Sequence, residues 1–105
     1  VVARNRVIAI EAAEGTDAML ARVAELRGNG RFRGKGPLGV LVKAPKRGQD
    51  LRIDLPAIGP ATVEAAAAAG LAGVAVTAGQ VLVLDRPACV AAAKSAGLFL
   101  WGVAP

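Results

Sequence analysis

The sequence predicts a single α/β domain, folded as a layered sandwich of one mixed sheet and about three helices. Three observations lead to this class. Strand-like and helix-like segments alternate along the chain, which is typical of α/β layers. The chain has 105 residues, enough for one domain but not two. Hydrophobic residues make up 54% of it and aromatic residues only 3%, so we expect an aliphatic, closely packed core.

Strand patterns occur in five segments, as apolar runs or as alternating polar and apolar residues. These segments are 1–12 (a hairpin turning at Arg4-Asn5), 38–44, 50–55, 73–85 (two strands around a turn) and 98–103. The run 38–44 is apolar apart from Lys43, which indicates a strand covered on both faces. Phe99 and Trp101 flank Leu100 in the last segment and are interpreted as core residues.

Three helices are predicted from residues that favour helix ends. Thr16, Pro60 and Asp85 suit the starts, and Gly28, Gly70 and Gly97 suit the ends. Residues 65–84 carry no charge and are long enough to cross a bilayer. Because three glycines divide this run, we interpret it as a helix end, a strand, a turn and a strand.

The residue types present exclude several kinds of catalytic site. The chain has no histidine, no tyrosine and one cysteine, so a nucleophile–histidine pair or a usual zinc site cannot form within it. Cys89, in an alanine-rich helix, is interpreted as a small buried hydrophobe. A single cysteine also indicates a reducing, cytoplasmic compartment. The remaining carboxylates, lysines, arginines and amides suit phosphate binding and a hard metal such as Mg²⁺.

The charged stretch KAPKRGQDLRIDLP, residues 43–56, is the candidate anion-binding segment. The net charge of +5 favours anionic partners. Lys43 ends a predicted strand, so Lys43 and Lys46 are expected to face an anion beyond the sheet edge, unless they are simply solvated loop lysines. In an extended 50–55 segment one face holds Asp50, Arg52 and Asp54. The alternative there is a solvated strand face with a surface ion pair.

Two glycine-containing turns are weaker candidates. The amides at the helix start near EGTD, residues 14–17, can bind a phosphate, although a simple Thr16 cap explains the same residues. The basic loop RGNGRFRGKG, residues 27–36, is suited either to clamp a diphosphate or to be flexible. It matches neither the P-loop nor the dinucleotide-binding spacing.

Three stretches of the sequence resemble one family. They are EGTDAMLARVAELR, GVLVKAPKRGQDLRIDLPAIGPATVEAAAAAGLAGVAVTAGQVLVLDR and AGLFLWGV. Together they are similar to the C-terminal domain of the LpxI-type UDP-2,3-diacylglucosamine pyrophosphatases, and the resemblance covers nearly the whole chain. The pattern VKAPKxGQDxRxDLPxIGP is its most specific part, and Arg47 stands where proline is expected.

The resemblance implies a Mg²⁺-dependent hydrolase of lipid A synthesis in Gram-negative bacteria. Such enzymes split UDP-2,3-diacylglucosamine into 2,3-diacylglucosamine 1-phosphate and UMP, and they are cytoplasmic and peripheral to the inner membrane. A further N-terminal domain, outside this chain, is expected to complete the site. The resemblance favours Asp54 and Asp50 as catalytic residues. As substrate-binding residues it favours Lys43, Lys46, Arg52, Glu14, Thr16 and Asp17.

Two other classes of function remain open at this point. One is a non-catalytic module that binds phosphate, nucleotide or nucleic acid through residues 27–52. Nucleic acid is the less favoured partner, because Phe32 is the one aromatic residue among these basic residues. The other is a structural assembly domain whose charges are merely solvated.

Overall fold

The fold is described by a computed structural model that covers residues 1–46, 48 and 55–105. In this part of the chain the elements are β1 (Val2–Ala3), β2 (Arg6–Val7), α1 (Thr16–Gly28), β3 (Val40–Lys43), β4 (Ala57–Ile58), α2 (Pro60–Ala68), β5 (Gly73–Thr77), β6 (Leu82–Val83), α3 (Arg86–Ala96) and β7 (Phe99–Val103). Three helices and a mixed sheet confirm the predicted fold class. Residues 50–54 of the predicted strand lie outside the described residues.

The main sheet has five strands in the order β2-β1-β3-β5-β7. β3, β5 and β7 are parallel, whereas β1 pairs antiparallel with both β2 and β3. β4 and β6 form a separate parallel pair. The two strands predicted around the turn within 73–85 therefore belong to different sheets, because β6 pairs with β4 rather than with β5.

The predicted hairpin is confirmed at its turn. Arg4 and Asn5 both have positive φ, at 52° and 60°, as a two-residue turn between right-handed twisted strands requires. Pairing stops at Val7, short of the predicted end at residue 12. Beyond it, the N–H groups of Ile8 and Ala9 both donate to the carbonyl of Val1. The chain therefore leaves the sheet early and turns toward the start of α1.

The cap residues predict α2 and α3 correctly but not α1. Asp85 is the N-cap of α3, and its carboxylate accepts from the Ala88 N–H at 3.3 Å. Gly97, in the left-handed conformation, ends that helix. The prediction of Thr16 as the N-cap of α1 is wrong. Gly15 holds the N-cap position, and the Thr16 hydroxyl bonds to another part of the chain, described below.

The helices pack on one face of the main sheet and share one aliphatic core with it. Each helix contributes buried residues to this core. These are Met19, Leu20 and Val23 from α1, Val63 and Ala66 from α2, and Cys89 and Ala93 from α3. They meet the buried strand residues Leu41 and Val74. Cys89 is fully buried, which confirms its interpretation as a core residue, and burial together with the charge of Asp85 raises its pKa.

The opposite face of the main sheet is open to solvent. Phe99 is 42% exposed, Trp101 61% and Val42 52%. The prediction that Phe99 and Trp101 belong to the core is therefore wrong, as is the prediction of cover on both faces of 38–44. Alternation separates the two faces of a strand, but it does not say which of them another layer covers. Within the described residues, no helix is long and apolar enough to cross a membrane.

Candidate functional site

Charged and polar side chains from three segments meet at the carboxyl end of β3. Lys43 is the last residue of that strand and lies beside Val76 of the parallel strand β5. The segment after β2 brings Glu11 to this edge, and the start of α1 brings Thr16. A cleft of about 600 Å³ opens at the same place. The site thus lies where ligands commonly bind in parallel sheets.

The ammonium group of Lys43 is held by two oxygens. Its Nζ donates to Thr16 Oγ1 at 2.9 Å and to Glu11 Oε2 at 3.2 Å. The Thr16 hydroxyl in turn donates to Glu11 Oε2 at 2.8 Å. Lys43 and Glu11 keep only 18% and 29% of their side-chain surface exposed. The network therefore fixes one cation at the edge of the cleft.

Among the described residues, Glu11 supplies the carboxylate of this network, and its environment favours the ionised form. Burial acts to raise its pKa, but the hydrogen bonds from Thr16 and Lys43 oppose burial, as do the charges of Lys43 and Lys46. The balance lowers the pKa of Glu11 below its usual range. Glu11 is therefore a stable counter-ion for Lys43 at neutral pH.

The cleft combines positive charge with apolar walls. Lys43 and Lys46 line it, together with apolar residues that include Ile10, Met19 and Leu41. Leu55, Pro56 and Ala57 contribute a further wall, so the described chain returns to this cleft after residue 54. Such a lining can accept an anionic group and a hydrocarbon group side by side.

Some of the predicted substrate-binding residues lie at the cleft, and others lie away from it. Lys43 and Lys46 line the cleft, and Thr16 does not line it but accepts from the Lys43 ammonium group. Glu14 instead pairs with Arg22 on the outside of α1, and Asp17 is exposed in the first turn of that helix. Neither Glu14 nor Asp17 lines the cleft.

The sequence prediction missed Glu11. The hairpin was predicted to run to residue 12, which placed Glu11 inside a strand and hid it among apolar neighbours. The useful signal was its position as the first acidic residue after the apolar run VIAI, just before the helix start. Polar residues at the point where a strand gives way to a helix are common site residues.

Three predicted site residues, Asp50, Arg52 and Asp54, lie outside the described residues and remain predictions. In the described parts of the chain, no group of three or more acidic, cysteine or histidine side chains could hold a metal ion. Glu11, the acidic residue among the described residues that line the cleft, already accepts from the Lys43 ammonium group. These residues alone therefore do not fit a Mg²⁺ site.

Comparison with known proteins identifies the family. The family model of the LpxI C-terminal domain matches residues 1–101. The chain is also 56% identical, over all of its 105 residues, to the UDP-2,3-diacylglucosamine pyrophosphatase LpxI of Caulobacter vibrioides. The match spans 38% of that relative's length. The chain therefore belongs to the LpxI C-terminal domain family.

Proposed function

We propose that this chain is part of an enzyme that hydrolyses the pyrophosphate bond of UDP-2,3-diacylglucosamine in lipid A synthesis. The observation that carries the proposal is the immobilised Lys43 ammonium in a cleft with apolar walls. It occurs in a chain 56% identical to a relative that bears this activity in its name. Because the match spans 38% of that relative, the complete activity is proposed for a longer polypeptide.

The reaction needs charge neutralisation more than it needs covalent chemistry. The oxygen of a water molecule attacks one phosphorus, and the bond from that phosphorus to the bridging oxygen breaks. The products are UMP and 2,3-diacylglucosamine 1-phosphate, with the bridging oxygen leaving on one of them. Positioning and charge stabilisation supply most of the catalysis in such transfers. Lys43, Lys46 and Arg52 are proposed to bind the diphosphate oxygens.

Asp54 and Asp50 are proposed to position or deprotonate the attacking water, with Asp54 the favoured residue. The chain has no histidine, so carboxylates are the natural general bases. Mg²⁺ is proposed as the cofactor from the family resemblance, to neutralise charge on the diphosphate. No step is assigned to it, because the described residues do not form its site.

The substrate class is consistent with the lining of the cleft. A diacylated sugar nucleotide carries both a diphosphate and hydrocarbon chains, and the cleft presents lysines beside apolar residues. We propose that the enzyme acts at the cytoplasmic face of the inner membrane as a peripheral protein, where such a lipid is accessible.

The test uses a chimera in which this chain replaces the matching 38% of the Caulobacter vibrioides relative. Release of UMP is measured for the parent chimera and for Asp54→Ala, Asp50→Ala and the matched control Glu64→Ala, at an exposed position of α2. Losing a water- or metal-positioning carboxylate costs several kcal/mol, so we expect Asp54→Ala to lower kcat by roughly a hundredfold or more. Substrate affinity should change little, because the cationic contacts persist.

Three outcomes would change the proposal. Near-normal turnover in both aspartate variants would remove this segment from the mechanism. Loss in Asp50→Ala alone would move the role to that residue. An inactive parent chimera that binds UDP-2,3-diacylglucosamine with normal affinity would favour the non-catalytic binding module instead.

A further inference from the structure

Arginine side chains from two segments of the chain line a second pocket, which is separate from the cleft. Arg4 and Arg6 come from the β1–β2 hairpin, and Arg31 and Arg33 come from the loop after α1. This space, here called the arginine pocket, has a volume of about 340 Å³. None of the four arginines lines the cleft that holds Lys43. The pocket is therefore a feature that the proposed hydrolysis does not use.

The positive charges of the arginine pocket are not compensated by acidic side chains. In the described part of the chain, no carboxylate forms an ion pair with any of the four arginines. Arg33 Nε donates to the Gly30 carbonyl at 2.9 Å, and the other three guanidinium groups donate to no acceptor in that part. Like charges gathered around one pocket repel each other and lower the free energy of unfolding. An anion bound among them would remove this repulsion and accept charge-assisted hydrogen bonds.

The loop that forms one wall of the pocket is held by its own contacts. The N–H groups of Arg31 and Phe32 both donate to the Leu26 carbonyl, at 2.9 and 3.1 Å. The Phe32 ring is buried and lies 5.3 Å from the Arg27 guanidinium carbon, which is a cation–π distance. The backbone positions of the loop arginines are therefore fixed from beneath.

The hairpin that forms the other wall meets this loop directly. A Cβ atom on Gly34 would come within 3.1 Å of Arg4 Nη2, so the Arg4 guanidinium lies against the loop. Arg6 pairs with Ala3 across the hairpin, which fixes its place beside the turn. Both walls are thus positioned before any ligand binds, and such preorganisation lowers the entropic cost of binding.

The chemistry of the arginine pocket indicates the class of its ligand. A guanidinium group presents several N–H donors in a rigid fork that matches the oxygens of a phosphate. A terminal phosphate carries about 1.5–2 negative charges at pH 7 and three acceptor oxygens. Four cations from two walls therefore suit a terminal phosphate or a diphosphate better than a singly charged phosphodiester or carboxylate. The volume lies at the lower end of the range for ligand pockets, roughly 300–1,000 Å³.

We propose that the arginine pocket is a second anion site, which binds the terminal phosphate or diphosphate of a ligand other than the one in the cleft. Guanidinium groups of the hairpin and of the loop bind the phosphate oxygens from opposite sides. This assigns the basic loop 27–36 to phosphate binding, one of the two roles that its sequence left open. A free phosphate compound and a lipid headgroup both present this group, and the experiment separates the two sources. The inference goes beyond the proposed hydrolysis and does not depend on it.

The experiment measures the binding of inorganic pyrophosphate to the chimera defined above by isothermal titration calorimetry, at about 0.15 M ionic strength. All proteins carry Lys43→Ala, which weakens binding in the cleft. Two variants each remove two charges from one wall of the pocket: Arg31→Gln with Arg33→Gln, and Arg4→Gln with Arg6→Gln. Circular dichroism and an unfolding curve confirm that each variant is folded before its affinity is measured.

The matched control removes two charges from another surface. Arg86→Gln with Lys94→Gln changes exposed positions of α3. We expect each pocket variant to weaken pyrophosphate binding by at least about tenfold, and the control by less than about twofold, because charge-assisted hydrogen bonds are lost only at the pocket. Equal weakening in all three variants would show attraction by net charge and would overturn the proposal. Weakening by one pocket variant alone would overturn a site shared by two walls, and absence of saturable binding in the Lys43→Ala parent would overturn any second site.

The source of the phosphate is tested by sedimentation with phosphatidylcholine vesicles, with and without phosphatidic acid, a lipid that carries a terminal phosphate. Sedimentation that needs phosphatidic acid and the pocket arginines, and that free pyrophosphate prevents, would assign the site to a lipid headgroup. Pyrophosphate binding without sedimentation would assign it to a free phosphate compound. Both readouts are binding rather than turnover, so an inactive chimera and an empty arginine pocket would be observed separately.

Discussion

Both ends of the main sheet carry positively charged side chains. At one end the cation is largely buried and hydrogen-bonded, and at the other end the cations are exposed. At the carboxyl end of β3, Lys43 is bound to Thr16 and Glu11 and is largely buried. Because β1 is antiparallel to β3, with Val2 opposite Val40, the hairpin turn lies beyond the amino end of β3. There a cluster of exposed cations, here called the basic edge, brings together Arg4, Arg6, Arg31, Arg33 and Lys35.

The basic edge differs from the cleft in how its cations are held. Among the residues that the structure describes, no carboxylate forms an ion pair with any of its five cations. The loop beneath it is held instead by Arg27, whose guanidinium donates to the carbonyls of Gly34, Gly36 and Gly70. None of residues 28–36 lines the cleft. The candidate site therefore differs from the basic edge by a cation fixed by a carboxylate and a hydroxyl, and not by positive charge alone.

The largest expected difference between the two ends is in substrate affinity. In the chimera, Lys43→Ala should raise KM for UDP-2,3-diacylglucosamine by roughly ten- to a hundredfold, since a hydrogen bond from a charged group is worth about 1.5–3 kcal/mol. Arg31→Ala removes the same charge from the basic edge and should change KM by less than about twofold. The measurement is the steady-state KM of Lys43→Ala and of Arg31→Ala in the chimera. Equal effects would show that bulk charge, rather than the placed ammonium, attracts the substrate.

A smaller effect is expected from the residue that holds the lysine. Glu11→Ala in the chimera should raise KM by about five- to tenfold, because the Lys43 ammonium loses its acceptor and its fixed position. Glu11→Gln keeps an oxygen acceptor for the Lys43 ammonium and should raise KM by less than Glu11→Ala does. Glu25→Ala, at an exposed position on α1, is the control and should leave KM unchanged. If Glu11→Ala instead lowered KM, Glu11 would be a competitor of the substrate phosphate rather than a support for Lys43.

The sequence predicts the scaffold better than it predicts the site, for physical reasons that differ between residues. Local signals such as Pro60 at a helix start or Gly97 at a helix end act within one turn, so they locate α2 and α3 correctly. The capture of the Thr16 hydroxyl by Glu11 and Lys43 spans 27 residues along the chain, and no local preference anticipates it. It displaces the expected N-cap and creates the network of the site at the same time.

The exposure of Trp101 could not be predicted for a different reason. Alternation along β7 correctly separates Leu100 from its two aromatic neighbours. Which face is covered depends on where the helices pack, and that is a property of the whole sheet. The exposed aromatic pair on β7 therefore reflects the packing of the helices on the other face of the sheet rather than a failure of strand prediction.

A further difference between the two ends is expected in the pH dependence of stability. The folded-state pKa of Glu11 is lowered, so its ionised form contributes stability above its usual pKa, and this contribution is lost as the pH falls through the folded value. Urea unfolding of this chain should therefore show a stability advantage over Glu11→Gln that is constant from pH 7 down to the usual pKa of a glutamate and shrinks only below it. Glu25→Gln, at an exposed position on α1, is the matched control. A gap between the parent chain and Glu11→Gln that stayed constant below that pKa as well would mean that Glu11 acts through shape rather than charge.

The smallest expected effect concerns the salt dependence of substrate association. Exposed charges act over about a Debye length, near 8 Å at physiological ionic strength, so the basic edge can attract an anionic substrate at low salt without binding it. In the chimera, Arg31→Glu combined with Arg33→Glu should lower kcat/KM by about two- to threefold at low ionic strength and leave it unchanged near ~0.5 M salt. The defect of Lys43→Ala should persist there, because the largely buried ammonium is screened much less. A charge-reversal defect that survived high salt would place a direct substrate contact at the basic edge, and the two ends of the sheet would then share the site.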